Sequence, residues 1–487
     1  MNAAVDPDRS EWDVIVIGGA PPGENAAQYA TQFSGLEAVI VERELVGGEC
    51  SYWACMPSKA LLRPVELVSN ASDLPGVSSA KVDVAAALAR RDTVVKNHDD
   101  SSQVQWALGT GIDVVRGHGR LAGVRTVTVT APDGATRTLT ARHAVVLDSG
   151  SRATVPPVPG LREARPWISR DVTNLHEVPR RIVIVGGGVV ACEAATWLHG
   201  LGAAEIMIVE GSSRLLAKVE PFAGEIIRSG FEAAGVGVLT GTRVASVSRA
   251  SVNESGEGWI HGGEVTVTLS DSSTVVADEI LVAAGRTPNS DDIGLASVGR
   301  PERGFVEVDD HLTVPGFDWL YAIGDLNGRA LLTHMGKYQA RIAGEVIAAR
   351  ALGTPLSGSV YRDRAAVPQV TFTDPEVGSV GPTEAQAREA GLDVETVEYD
   401  LANLAGTYLL RDHYVGRAKL VIDRADDTLI GATFVGTGIA ELVHSATVAV
   451  VGKVPVADLW HAVPSYPTVS EIWLRLLETL DQARRGK

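Results

Sequence analysis

Cysteine is nearly missing from this chain. Its 487 residues hold three, Cys50, Cys55 and Cys192. That scarcity excludes a disulfide-stapled scaffold. It also excludes a zinc centre of the usual kind, which takes about four ligands, because no further Cys or His follows at ligand spacing; no metal site is expected. Positive charge is in deficit as well, with 43 Lys and Arg against 60 Asp and Glu and a net charge of −17. Such a chain has no electrostatic case for nucleic acid or an anionic membrane surface. Long apolar runs are lacking too, since none reaches the roughly 18 residues of a membrane span. Residues 1–12 are polar and acidic, with no basic region leading into an apolar stretch, so no export signal is read there. The expectation is a cytoplasmic protein, in a compartment where thiols stay reduced and a disulfide is usually catalytic. What is abundant is core material: 45% hydrophobic residues over a length that suits roughly three domains.

Two of the three cysteines fall in one stretch, Gly47-Gly48-Glu49-Cys50-Ser51-Tyr52-Trp53-Ala54-Cys55-Met56-Pro57-Ser58-Lys59. On a regular helix, residues five apart lie about 7.5 Å along the axis, beyond the about 4.4–6.8 Å between the Cα atoms of a relaxed disulfide. Gly47 and Gly48 loosen the backbone before the pair, and Pro57 cannot donate to the carbonyl of Trp53. A bond closed here is distorted and easily reduced. A structural bridge, half of a metal site and two unrelated buried thiols are the bland alternatives. The pair reads as redox-active.

The surrounding chain carries a dinucleotide-binding pattern twice. Residues 13–17 are a short β-branched run of the kind buried on both faces of a sheet. Gly18-Gly19-Ala20-Pro21-Pro22-Gly23 follows, then a helix over 24–33 and a strand over 39–41 ending at Glu42. The glycine turn lets backbone approach a pyrophosphate at the helix N-terminus, and the acidic residue about 20 positions on takes a ribose hydroxyl. Ala20 replaces the middle glycine and brings a methyl group towards the phosphates. The second copy has a strand over 181–185, the turn Gly186-Gly187-Gly188-Val189-Val190-Ala191, a helix over 192–201 and a strand ending at Glu210. Glu210 favours NADH by repelling a 2′-phosphate, although Ser212, Ser213 and Arg214 stand close enough to accommodate one. Cys192 is expected to pack inside its helix.

Other segments are plainer. Residues 64–104 read as helical and solvent-facing. A hairpin is expected over 125–140, and a strand over 143–147 runs into Asp148-Ser149-Gly150-Ser151. The proline-rich 155–160 reads as a domain crossing. Further strands run into Gly285 and into Gly324-Asp325, with Thr333 shortly after. Asp325 either orients a sugar hydroxyl or caps the next turn. From about 365 strands and helices mix without a glycine motif. The chain closes with Pro464-Ser465-Tyr466-Pro467-Thr468-Val469-Ser470-Glu471 and a helix over 472–483.

In this order the motifs resemble the pyridine nucleotide–disulfide oxidoreductase family, across about residues 12–480. The resemblance implies an α/β fold with two Rossmann-like dinucleotide-binding domains and a C-terminal α+β dimerisation domain. The FAD domain would span 1–155 and be completed by 283–355, the NAD(P) domain 156–282 and the dimerisation domain 365–487. It implies FAD in the first unit, with Gly48, Gly150, Gly324, Asp325 and Thr333 adding to the cofactor site, and NAD(P)H in the second, near Gly186, Gly188, Ala191 and Gly285. It further implies that Cys55 faces the flavin and Cys50 meets the substrate, that Lys59 sits near the flavin paired with Glu193, and that a homodimer completes each site. The pattern departs from the family in two places. Tyr466 stands where disulfide reductases carry the acid–base histidine of His-Pro-Thr-x-Ser-Glu, while Glu471 is kept. Val189 stands where many members have an aromatic gate. A phenol near pKa 10 is a poor proton shuttle at neutral pH, and His461 is read as a loop residue. The expected reaction is therefore electron transfer from NAD(P)H, NADH favoured, through FAD and Cys50–Cys55 to a small acceptor, leaning to a quinone or metal ion. Reduction of a specific small disulfide is the first alternative, and a low-turnover redox sensor the second.

Overall fold

The structure is a computed structural model that describes residues 8–78, 80–356, 358–360 and 365–486; the outermost residues of the expected first and last domains lie outside these. The chain gathers into two compact units, one from Met1–Pro57, Asp92–Arg152 and Arg286–Arg364, the other from Ser58–Arg91, Ala153–Gly285 and Ala365–Lys487.

The first unit is built on β1 (Glu11–Ile17), whose six residues after Glu11 are all buried. A strand apolar on both faces belongs inside a sheet covered on both sides. β1 pairs in parallel with β2 (Ala38–Glu42), placing Ile15 beside Val39, and with the strand Thr136–Leu147, placing Ile15 beside Val145. The whole sheet has seven strands, the last of them, Leu320–Ala322, arriving from far down the chain to lie beside Val145–Leu147. Helix α1 (Pro21–Thr31) returns from β1 to β2. It packs against the helix Thr333–Leu352, where Gly336 and Gly344 leave no room for a side chain: a Cβ would lie 2.6 Å from Pro22 Cγ at the first and 2.6 Å from Tyr29 Cβ at the second. Two short elements then carry the cysteines, α2 (Gly48–Tyr52) and α3 (Cys55–Ser72).

The second unit repeats the first design on a smaller scale. Its parallel sheet has the order Gly237–Thr240, Glu205–Glu210, Arg181–Val185, Glu279–Val282, followed by a three-stranded antiparallel sheet over 244–277. Its C-terminal part is a five-stranded antiparallel sheet, with the helices Leu442–Gly452 and Ile472–Arg484 packed on a core that includes Phe434, Ile439 and Leu476. The expectation that 64–104 faces solvent holds only in part. Arg91 is buried, its guanidinium donating to the carbonyls of Thr173 and, at 3.0 Å, Leu175. Asp100 is also buried.

Candidate active site

In the first unit the chain leaves β1 into a turn shaped by its lack of side chains. Gly18 has φ +106°, and a Cβ there would lie 2.1 Å from the carbonyl oxygen of Asp148. The Gly19 N–H donates to Glu42 Oε2 at 2.7 Å, and the Glu44 N–H to Glu42 Oε1 at 2.7 Å. Burial raises the pKa of Glu42, against these hydrogen bonds. Ala20 leads into α1 with extended backbone, and its methyl group is matched by Gly48: a Cβ at Gly48, where φ is +56°, would lie 2.6 Å from Ala20 Cβ. The alanine in place of a glycine is thus accommodated by a glycine opposite. Gly47 N–H donates to the Gly19 carbonyl at 2.6 Å, tying the dinucleotide turn to the cysteine stretch.

The cysteine stretch is broken where the sequence suggested irregularity. Cys50 lies in α2 and Cys55 opens α3, with Trp53 and Ala54 between the helices. Both sulfurs are free thiols. Cys55 Sγ lies 3.5 Å from Thr333 Oγ1, at the start of its 20-residue helix. The Cys50 thiol is hydrogen-bonded to Cys55, and this bond together with burial pushes the Cys50 pKa far up. Trp53, Tyr52 and Val95 form a small core beside the pair, and His98 lies 5.4 Å from the Trp53 ring. Asp100 accepts the Val46 N–H at 2.7 Å and so fixes the approach to the pair.

Gly150 has φ +67°, and its carbonyl accepts the Asn289 N–H at 3.0 Å. Gly324 has φ +64° and donates its N–H to Gln339 Oε1 at 3.0 Å. Asp325 caps no helix with its side chain. Oδ2 accepts the Ser151 hydroxyl at 2.5 Å and lies 3.6 Å from Arg286 Nε, which also donates to Ser151 Oγ at 2.6 Å. The residues present fit FAD. The α1 N-terminus would offer N–H groups to a diphosphate, Gly18 and Gly48 leave no side chain over it, and Glu42 and Asp325 would be the carboxylates to take sugar hydroxyls. Sequence reasoning missed Ser151, Arg286 and, most notably, Asp148, whose carboxylate beneath α1 was announced only by an acid directly after an apolar strand.

The second unit repeats the acid-and-turn arrangement. Glu210 Oε2 accepts the Gly187 N–H, and Oε1 accepts the Ser212 N–H at 2.6 Å. Gly186 has φ +115°, Gly188 precedes the helix Val189–Gly200, and Ala191 is buried in that helix. Gly285 has φ +117° and accepts the Thr154 N–H at 3.0 Å. Arg214 donates to the carbonyls of Val219 and Ala217, each at 2.8 Å. Cys192 is fully buried. Lys59 Nζ lies 2.7 Å from Glu193 Oε2 and 4.7 Å from the Phe372 ring centroid. At the C-terminal motif the two key residues differ in exposure: Tyr466 is 73% exposed and Glu471 is 4% exposed. No hydrogen bond joins them; Glu471 Oε1 accepts from Arg475 at 2.8 Å and Oε2 is buried without a hydrogen-bond partner. His461 is exposed.

The sequence pattern defining the pyridine nucleotide-disulphide oxidoreductases matches residues 12–342, and that of their dimerisation domain matches 367–476. The chain belongs to this family. As a member it is an NAD(P)H-dependent flavoprotein oxidoreductase using FAD. Its relatives include a dihydrolipoyl dehydrogenase of Chlorobaculum tepidum, 34% identical over 95% of each chain. Another is a mercuric reductase of Staphylococcus aureus, 28% identical over 95% of this chain and 81% of the relative. Among solved structures, LpdA of Mycobacterium tuberculosis superposes with a TM-score of 0.81 at 24% identity over 97% of this chain and all of its own. The Cu(II) complex of the HOCl-induced flavoprotein disulfide reductase RclA of Escherichia coli gives 0.82 at 23%, over 96% of this chain and 99% of its own. These two likenesses show the fold. No described helix is long and apolar enough to cross a membrane, and the described residues hold no group of three or more metal-ligating side chains.

Proposed function

We propose that this cytoplasmic flavoprotein draws electrons from NADH in preference to NADPH and passes them through Cys50 and Cys55 to a small acceptor that needs no proton from the protein, a quinone or a metal ion. The observation that carries the reading is Tyr466, which stands solvent-exposed and unbonded to Glu471 where a disulfide reductase keeps its acid–base histidine. Bound FAD supplies the chemistry of accepting a hydride and releasing an electron pair to a disulfide. The chain's own residues do the rest. Two electrons open the Cys50–Cys55 bond, the proton settles on Cys50, whose thiol is hydrogen-bonded to Cys55, and Cys55 carries the negative charge. The acceptor removes the same two electrons, the Cys50 proton leaves to solvent and the bond re-forms; a quinone takes its protons from water. As the family resemblance implies, Lys59, paired with Glu193, is proposed as the cation of this chemistry. We place the second copy of a homodimer against the 367–476 domain, bringing its Tyr466 to the site.

Reduction of a small disulfide is the second reading, favoured by 34% identity to a dihydrolipoyl dehydrogenase. An acceptor panel under steady NADH separates the two. Rapid reduction of quinones or metal ions, lost in Cys50→Ser and Cys55→Ser, with slow turnover of lipoamide and glutathione disulfide, is the expected result. Fast disulfide turnover would replace the first reading by the second.

A further inference from the structure

The strand Thr136–Leu147 delivers Asp148 directly beneath the N-terminus of α1. The residue is 3% exposed, and its Oδ2 accepts the Gly23 N–H at 2.7 Å. Its Oδ1 faces the other side of the cradle, where a Cβ built on Gly324 would lie 2.9 Å away. Among the described residues no Lys or Arg pairs with it. The charged groups that act on it are Asp325 beyond the strand Leu320–Ala322, Glu42 at the end of β2 and Glu24 in the first turn of α1, all acidic. A diphosphate docked at this helix end adds negative charge to the same surroundings. A buried carboxylate without a cation, facing three acids and a diphosphate, is costly enough that the group keeps its proton instead.

We propose that Asp148 is a neutral carboxylic acid whenever FAD is bound, so that retention of FAD is linked to one proton on this side chain. In the neutral form one oxygen still accepts from Gly23 while the other becomes an O–H donor within the cradle. In the ionised form both oxygens only accept and repel phosphate. The same surroundings, burial first among them, push the Asp148 carboxyl well above the ordinary carboxylate range. Asp148 is a binding residue in this role, and the proton it holds takes no part in the electron transfer.

The test follows FAD leaving the holoenzyme, read as the rise of free-flavin fluorescence on dilution between about pH 6 and about pH 9. Wild type is expected to release FAD faster as pH rises, by up to about tenfold per pH unit while the proton is being lost. Asp148→Asn keeps both an acceptor and a donor without a charge, and its release rate should change by less than about threefold over the range. Asp148→Ser gives the same flat profile and serves if the asparagine variant fails to fold. Glu24→Gln, which removes one of the acids that hold the proton on Asp148, should move the rise to lower pH without abolishing it. A flat wild-type profile overturns the proposal. So does a slope unchanged in both Asp148 variants, or one abolished by Glu24→Gln alone.

Discussion

Lys59 Nζ lies 2.7 Å from Glu193 Oε2, and the other oxygen of that carboxylate accepts the Phe372 N–H at 3.0 Å. Glu193 is buried, so removing the ammonium leaves a carboxylate satisfied on one oxygen and stranded on the other. Breaking a buried pair in this way costs about 3–5 kcal/mol, and the partial exposure of Lys59 lowers the expectation to about 2–3 kcal/mol. Lys59→Met should lower the unfolding free energy by that amount, while the double variant Lys59→Met, Glu193→Leu should recover more than half of the loss. A double-mutant cycle in urea reads the coupling. Strictly additive losses would show that the two residues do not act as a pair.

Glu24 gives a pH dependence of stability. Burial pushes its carboxyl up from 4.5 to about 7, against the pull of Lys337, and Oε1 is buried without a hydrogen-bond partner among the described residues. An acid whose folded-state pKa is raised binds more protons folded than unfolded, so stability falls as pH climbs through the window between 4.5 and about 7. The difference in proton affinity corresponds to about 3 kcal/mol at full effect, and about 1–2 kcal/mol after allowing for solvent access. Glu24→Gln should therefore gain on wild type by that amount between about pH 5 and about pH 8. Unfolding curves that stay parallel across this range would show that Glu24 is not the titrating group.

The proposed nicotinamide preference turns on Glu210. Both its oxygens are anchored by backbone N–H groups, from Gly187 and Ser212. With Arg214 engaged by loop carbonyls, a 2′-phosphate would meet a fixed carboxylate without that arginine. Such a clash costs about 1–3 kcal/mol at a partly exposed site, so NADH should exceed NADPH in kcat/KM by about ten- to a hundredfold. Glu210→Ala should narrow the ratio to within about fivefold. A preference for NADPH that survives the substitution would place discrimination elsewhere.

Much of this architecture was legible because it is written locally. The β-branched runs before Gly18 and Gly186, and the acids at 42 and 210, sit one strand–turn–helix unit apart, and the structure sets each acid on its own glycine turn. The break at Trp53 and Ala54 between α2 and α3 follows from the residues that loosen that stretch. Burial is different, because it is a property of what packs against a residue from elsewhere in the chain. Asp148 looked like the polar end of a strand until the strand Leu320–Ala322 and Gly324 closed over it. Arg91 looked like one charge on a solvent-facing helix, and its partners are carbonyls more than 80 positions away. Gly336 and Gly344 carried no readable motif, since their role is the close crossing of the helix Thr333–Leu352 with α1.

The residue that most directly tests the choice of acceptor is Tyr466. Reduction of a disulfide leaves a thiolate that must be protonated, and a phenol is a poorer general acid–base group for that step than an imidazole. Glu471 remains five residues on, with Oε2 buried and unbonded, a carboxylate able to orient an imidazole as an acid orients a catalytic histidine. If the missing proton donor is what limits disulfide turnover, restoring one should speed that reaction alone. General acid–base assistance contributes about 10²–10⁴-fold where it is fully positioned. Because Glu471 already holds Arg475, Tyr466→His is expected to realise only part of this, raising lipoamide or glutathione disulfide reduction by at least about tenfold. Quinone reduction should stay within about threefold of wild type, since that acceptor draws no proton from position 466. Steady-state kinetics with both acceptors on the same preparations reads the split. A wild type that reduces disulfides quickly and is slowed by Tyr466→His would make the phenol itself a substrate-recognising group and the protein a disulfide reductase.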